Sequence, residues 1–206
     1  GLRRVPLAPP MAMAGEFGFG SAVAGVGDTN GDGFDDVAVS APRSLNDRGR
    51  IAVYPGGSPF MGMTAALVPG ETPNGQLGGA LGFVGDLDLD GRTEVAGGAP
   101  RASQVVLARV QGNGMVDRSP PVMGAMGSEF GFSLSGGADL DRDGFPELLI
   151  GAPSTAQVHL FRGVAPGTPL PAMSDRRLNV PGLVANDRFG QSMVVTGDVD
   201  GDQTPD

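Results

Sequence analysis

Four short segments of this 206-residue chain place oxygen-bearing side chains at alternate positions, each with an acidic residue at its ninth position. The first begins Asp28-Thr-Asn30-Gly-Asp32-Gly33, and related segments begin at Asp86, Asp139 and Asp198, 53 to 59 residues apart. Alternate side chains converge on one centre when the backbone curls around it, and a glycine at position six permits the sharp turn. We interpret these segments as cation-binding loops.

The candidate side-chain ligands occupy positions one, three, five and nine of each loop. They are Asp28, Asn30, Asp32 and Asp36 in the first loop, Asp86, Asp88, Asp90 and Glu94 in the second, Asp139, Asp141, Asp143 and Glu147 in the third, and Asp198, Asp200, Asp202 and Asp206 in the fourth. Hard oxygen ligands on a flexible turn suit Ca²⁺ better than Mg²⁺, which tends to keep its waters. The loops contain no His or Cys for Zn²⁺ and no Glu at position twelve, where an EF-hand needs one.

Solvated acidic turns are the alternative explanation, because Asp, Asn and Gly are common in turns for their own reasons. The distribution of charge argues against it. Fifteen of the 23 acidic residues occupy the loop positions, and the remaining eight are outnumbered by 14 arginines. Several carboxylates in one small loop repel each other unless a cation is present. Four Ca²⁺ ions would bring the formal charge from −9 close to zero. We therefore expect the loops to bind three to four Ca²⁺ ions.

Two further motifs keep a fixed register with the loops. A Phe or Leu followed by Gly lies nine residues before each loop, at Phe19, Leu77, Phe130 and Phe189. A Gly-Ala-Pro or Ser-Ala-Pro motif follows each of the first three loops, at Ser40-Ala41-Pro42, Gly98-Ala99-Pro100 and Gly151-Ala152-Pro153. Motifs that recur at the same distances from each acidic loop indicate a repeat architecture.

Short apolar stretches separated by turn residues predict four strands in each full repeat. In the first repeat they are Ser21–Val26, Val37–Ser40, Ile51–Tyr54 and Leu67–Gly70. Third strands are also expected at Val105–Val110 and Val158–Phe161, and a fourth strand at Leu178–Gly182. Four short strands per repeat are typical of a propeller blade, and an irregular β-sandwich is the alternative. With 36 Gly and 18 Pro, long helices are excluded.

The three motifs together resemble the FG-GAP repeat, which builds the β-propeller head of integrin α subunits and many bacterial surface proteins. The resemblance implies an all-β propeller of four-stranded antiparallel blades, with Ca²⁺ bound in the first hairpin of several blades. It also implies that the main-chain carbonyl at position seven binds the ion, which would be that of Phe34, Arg92, Phe145 and Thr204. Leu77, Ser40 and Gln203 depart from the motif, and Gln203 puts the fourth site in most doubt.

We expect a single propeller region over residues 1–206, forming a partial ring with blades near 17–70, 75–124 and 128–182 and a partial blade at 187–206. Such a ring holds about 3.5 blades. Within residues 1–10, Arg3–Leu7 has the pattern of an outer strand from a preceding or closing blade. Since open sheet edges expose unpaired backbone groups, we expect further repeats or a second chain to complete the propeller.

Composition narrows the function further. The acidic balance and the lack of basic runs argue against nucleic acid, and no stretch is long and apolar enough to span a membrane. All 14 basic residues are Arg, which suggests a GC-rich bacterial genome. His159 lies within a predicted strand, and no catalytic constellation is evident, so we expect no enzyme activity.

The repeat type implies an extracellular, cell-surface or periplasmic protein. We interpret the chain as a calcium-binding module for adhesion, recognition or protein interaction, with a protein or surface ligand of unknown identity. The alternative is the propeller domain of a secreted enzyme whose catalytic part lies outside this chain.

Overall fold

A computed structural model describes residues 6–7, 9–10, 17–57, 66–168, 174–178 and 180–206. The first repeat forms one antiparallel sheet of four strands in chain order, namely β1 (Val23–Gly27), β2 (Asp36–Ala41), β3 (Arg50–Tyr54) and β4 (Ala66–Pro69). The third repeat forms an equivalent sheet from β10 (Leu134–Ala138), β11 (Glu147–Ala152), β12 (Gln157–Arg162) and β13 (Arg176–Leu178).

The second repeat has the same order but a divided outer strand. Its strands are β5 (Ala80–Gly82), β6 (Val95–Ala99), β7 (Gln104–Val110) and β8 (Val116–Arg118), and β9 (Val122–Met123) pairs with the opposite end of β7. Helical structure in the described residues is limited to single turns at Ser44–Asp47, Pro100–Ala102, Pro153–Thr155 and Ala185–Asp187. The expected all-β partial propeller of four-stranded antiparallel blades is therefore confirmed.

The hydrophobic core lies between the faces of neighbouring sheets. Buried residues between the first and second sheets include Val26, Val53, Val68, Val95 and Val106. Those between the second and third include Leu107, Phe130, Leu148, Ile150 and Phe161. Burying one such side chain contributes about 1.5–3 kcal/mol. Stacking of one blade on the next, rather than the hairpins alone, thus stabilises the fold.

The Phe-Gly and Gly-Ala-Pro motifs of each repeat meet through their backbones. The N–H of Gly78 donates to the carbonyl oxygen of Gly98 over 2.9 Å, and that of Gly131 to Gly151 over 3.0 Å. Leu77, which replaces the aromatic residue in the second repeat, is as fully buried as Phe130 in the third. In the three complete repeats the second strand ends at the Ala of the later motif, and Pro follows. Both motifs are structural.

The Gly of the later motif allows each blade to touch the next. A Cβ atom on Gly98 would lie 1.9 Å from the carbonyl oxygen of Gly131, and one on Gly151 would lie 2.0 Å from that of Gly190. The first repeat carries Ser40 at this position, and its Oγ accepts the N–H of Ala22 over 3.0 Å. Here Gly78 of the next repeat provides the space, because a Cβ on Gly78 would lie 2.6 Å from the Ser40 Cβ.

Two strand expectations differ from the structure. The outer strand of the third sheet covers Arg176–Leu178, whereas we expected Leu178–Gly182; Pro181 and Gly182 instead form a turn. The pairing of Leu178 with Val158 sets this earlier register. In the expected strand Arg3–Leu7, the first three residues lie outside the described ranges. Its last two, Pro6 and Leu7, are not in a strand, and Leu7 packs on the outer face of the first sheet.

We predict that Gly98→Ala and Gly151→Ala each lower the free energy of unfolding by about 1–3 kcal/mol, because the added methyl group has to displace backbone of the next repeat. Denaturant unfolding measures the change. Gly112→Ala is the matched control, since a Cβ there has only one neighbour, at 3.9 Å. Equal stabilities for Gly98→Ala and Gly112→Ala would contradict this account of blade contact.

Candidate metal centres

All four acidic loops share one hydrogen-bonded frame, and the first three connect the first and second strands of a sheet. In each, the carboxylate at position one accepts main-chain N–H groups from further along its own loop. Asp86 accepts those of Asp90 and Gly91 over 3.0 and 2.8 Å. Asp139 accepts those of Asp143 and Gly144 over 3.1 and 2.9 Å. The backbone therefore curls around the first carboxylate, as the sequence pattern requires.

The carboxylate at position nine closes each loop by accepting the N–H of position two. The four donors and acceptors are Thr29 to Asp36 at 3.1 Å, Leu87 to Glu94 at 2.8 Å, Leu140 to Glu147 at 2.5 Å and Val199 to Asp206 at 2.8 Å. Position five caps the turn in the same way, since the carboxylate of Asp143 accepts the N–H of Phe145 over 3.0 Å. Four segments of different sequence thus adopt one geometry.

Position six has a positive φ in every loop. Gly33, Gly91 and Gly144 have φ values of 87°, 91° and 94°, and Gln203 has 69°. A side chain in this region is strained by roughly 1–2 kcal/mol, whereas Gly is not. The fourth loop therefore keeps the turn in spite of its residue at this position.

The third loop brings its acidic side chains together most completely. Asp139, Asp141, Asp143 and Glu147 each place one carboxylate oxygen within 4.8 Å of the others. In the second loop Asp86, Asp88 and Asp90 converge in this way, without Glu94. In the fourth loop Asp198, Asp200 and Asp206 converge, without Asp202.

The first loop does not bring its three carboxylates into such a group. Its third position is Asn30, whose Nδ2 donates to Asp36 Oδ2 over 3.4 Å. Asp36 is buried and accepts further hydrogen bonds from Thr29 and from the N–H of Gly56 at 2.8 Å. Hydrogen bonds to the protein thus occupy the carboxylate at the ninth position of this loop.

Burial makes several of these carboxylates costly to ionise. It raises the pKa of Glu94 to about 7 and that of Glu147 to about 6, and it also raises the pKa of Asp36. Two buried oxygens, Asp88 Oδ1 and Glu147 Oε1, have no hydrogen-bond partner. A divalent cation would supply the missing partner and favour the charged form.

These residues fit Ca²⁺. The donors are hard oxygens, several are carboxylates, and two of the buried ones lack a partner. The side chains expected to hold the ions are those at positions one, three, five and nine. Binding by the main-chain carbonyls of Phe34, Arg92, Phe145 and Thr204 stays a prediction.

Sequence reasoning missed two arginines that lie outside the loops and pair with loop carboxylates. Arg109 Nε lies 3.0 Å from Glu94 Oε1 and 3.6 Å from Asp90 Oδ2, and its guanidinium also contacts Asp88. Arg162 lies 2.5 Å from Asp141 Oδ2. Both stand on the third strand of their sheet, fifteen residues after the ninth loop residue. Recognising them requires the hairpin register, which a loop motif does not carry.

His159 has a packing role. Its ring meets Phe130 edge to face at 5.1 Å, and its Nδ1 lies 3.2 Å from Ser174 Oγ. Burial lowers the pKa of His159, so the neutral form is favoured. The side chain borders a small cavity of about 90 Å³ between the second and third sheets.

Comparisons with known proteins agree with the repeat pattern. The FG-GAP repeat family matches residues 19–54 and 130–161. The chain is 36% identical to human integrin alpha-IIb over 168 residues, covering 73% of this chain and 16% of that protein. It is 31% identical to chicken integrin alpha-8 over 169 residues, with the same two coverages. It is 35% identical to integrin alpha-PS3 of Drosophila melanogaster over 149 residues, covering 66% of this chain and 13% of that protein.

The chain thus spans 13–16% of the length of these curated relatives. Within the described residues, no helix has the length and apolar character needed to cross a membrane.

We predict that Gln203→Gly raises the free energy of unfolding by roughly 0.5–1 kcal/mol, because Gly adopts positive φ without strain. Denaturant unfolding, with hydrogen exchange at the fourth loop, measures the gain. Gln111→Gly is the control: Gln111 is exposed and is not among the residues with positive φ, so the substitution is expected to destabilise slightly. A loss of stability in both variants would contradict the prediction.

Proposed function

The chain is an FG-GAP repeat protein of the integrin-α type, and from this premise we propose that it is an extracellular module for adhesion or recognition whose acidic loops bind structural Ca²⁺. The observation that carries the calcium proposal is the third loop. Four of its carboxylates converge, and one of them, that of Glu147, is fully buried with an oxygen that lacks a partner. A bound cation would offset the repulsion within this group of anions and give the free oxygen a partner.

The ions act on the fold because the loops contact neighbouring blades. In the first loop the carbonyl oxygen of Asp28 accepts the N–H of Thr93, which belongs to the second loop, over 2.9 Å. In the third loop the Arg142 guanidinium donates to the carbonyl oxygen of Asp202 in the fourth over 2.8 Å. An ion that orders one loop therefore also orders its contact with the next blade. This arrangement supports a stabilising role for Ca²⁺ rather than a switch.

The relatives support the adhesion or recognition role. Those reported above are integrin α subunits, and this similarity favours an adhesion or recognition module. An extracellular or cell-surface location agrees with weak Ca²⁺ sites, because free calcium is in the millimolar range there. The partner would be a protein or surface ligand. The alternative, the propeller domain of a secreted enzyme, places the catalytic part outside this chain and stays a hypothesis.

We also propose that further blades, from the same protein or a second chain, complete the ring. Three sheets and a fourth loop do not close a propeller. Apolar side chains are exposed at both ends of this stack, with Val23 at 62% on β1 and Val194 and Val199 at 70% and 75% in the fourth repeat. A neighbouring blade would cover them.

Removal of calcium is expected to lower the melting temperature. Binding to the folded state alone stabilises by about 2.7 kcal/mol per site at a hundredfold excess of ion over Kd, which corresponds to roughly 5–10 °C for a domain of this size. Calorimetry of the intact protein in EDTA and in excess Ca²⁺ measures the shift. Excess Mg²⁺ is the control and should restore little of the loss. Identical melting curves in EDTA and Ca²⁺ would refute structural calcium.

Asp141→Ala is expected to remove one bound ion and leave the others, because each loop supplies its own ligands. Calorimetric titration and metal analysis count the ions. Glu71→Ala is the matched control, since Glu71 is an exposed acidic residue outside the loops, and this variant should retain every ion. Loss of several ions in Asp141→Ala would show that the loops are coupled.

A further inference from the structure

We propose that Arg109 is a built-in cation of the second loop, holding its carboxylates together without metal and competing with Ca²⁺ for them. Arg162 does the same, more weakly, in the third loop. The inference rests on the proposed function, in which the loops bind calcium. It adds that the loops differ in their dependence on the ion.

The contacts of Arg109 are those of a counter-ion. Three acidic side chains of the second loop surround one guanidinium: Glu94 at 3.0 Å, Asp90 at 3.6 Å and Asp88 in direct contact. The Asp88 and Glu94 side chains are 2% and 4% exposed, and that of Arg109 is 24% exposed. At this depth the pairing of charges is only weakly screened by water and salt.

The guanidinium and a divalent ion draw on the same carboxylate groups, those of Asp88 and Asp90. The expected ion would share Asp88 and Asp90 with Asp86, which are the residues that converge in this loop. Arg109 already neutralises part of that charge, and a calcium ion would face its positive charge nearby. Calcium binding at this loop therefore has to displace the guanidinium or tolerate its repulsion.

The other repeats provide an internal comparison. In the third, Glu147 pairs with Arg162 across β11 and β12, but the Arg162 side chain is 52% exposed and contacts Asp141 and Asp143, each 34% exposed. Water screens that pair more strongly. In the first, the register that pairs Val37 with Tyr54 places Pro55 opposite Asp36, so the third strand supplies no cation there. Dependence on an Arg of the third strand should thus fall from the second repeat to the third and be absent in the first.

Arg109→Gln tests the proposal, because Gln keeps a polar side chain and removes the charge. Calorimetric titration of the intact protein with CaCl₂ should show roughly tenfold or greater tightening at one site. In EDTA the variant should melt below the wild type, while at saturating calcium the difference should shrink or vanish. A purely structural role predicts equal losses in both conditions. Arg162→Gln should show the same signs with a smaller change.

Arg109→Lys keeps the charge and should retain the weak affinity of the wild type. Arg118→Gln is the matched control, since Arg118 pairs with Glu71 outside the loops and its loss should leave calcium affinity unchanged. Adding Asp86→Ala should abolish the tightening, which assigns it to the second loop.

Unchanged or weaker calcium affinity in Arg109→Gln would overturn this inference alone. Absence of calcium binding at millimolar concentration in both wild type and Arg109→Gln would overturn the proposed function of this loop as well.

Discussion

The structure depends on a concentration of negative charge at one turn of each hairpin. A carboxylate at position one accepts the N–H groups of the turn, and a carboxylate at position nine accepts the N–H of position two. These bonds give the loop its shape and place like charges close together, partly out of water. Burial, with a smaller contribution from neighbouring carboxylates, raises the pKa of Glu94 and Glu147 well above that of an exposed Glu. A positive charge beside the loop, from an arginine or from the ion that we propose, offsets this repulsion.

Contacts between neighbouring blades couple the conformation of one loop to that of the next. The loops touch through Thr93 and Asp28 and through Arg142 and Asp202. Elsewhere Gly98 and Gly151 approach the next repeat so closely that no side chain fits. Between these contacts, Val, Leu, Ile and Phe side chains fill the space from sheet to sheet. Each blade is completed by its neighbour, as in other repeat proteins in which adjacent units bury a shared core.

Much of this architecture could be predicted from the sequence because its determinants are local. The turn Gly, the alternating carboxylates and the Ala-Pro strand ends lie within a few residues of the structure that they specify. The outer strands were harder to predict from the sequence. Leu178 pairs with Val158, and this choice of register depends on the neighbouring strand rather than on the Pro and Gly that follow. In the second repeat the outer position is shared by β8 and β9, which a search for one apolar stretch does not find.

The arginines show why a loop motif does not by itself define an ion site. The second and third loops carry carboxylates at all four side-chain positions, whereas the first has Asn30 at one of them, and the sequence predicts calcium binding for all three. The sheets of the second and third loops also place Arg109 and Arg162 opposite the ninth residue, through a register set by strand pairing fifteen residues away. The charge around a candidate ion site therefore depends on the first three strands of its sheet, β1–β3, β5–β7 or β10–β12, and not on the loop alone. Two repeats with equal motifs can differ in ion affinity when only the third strand differs.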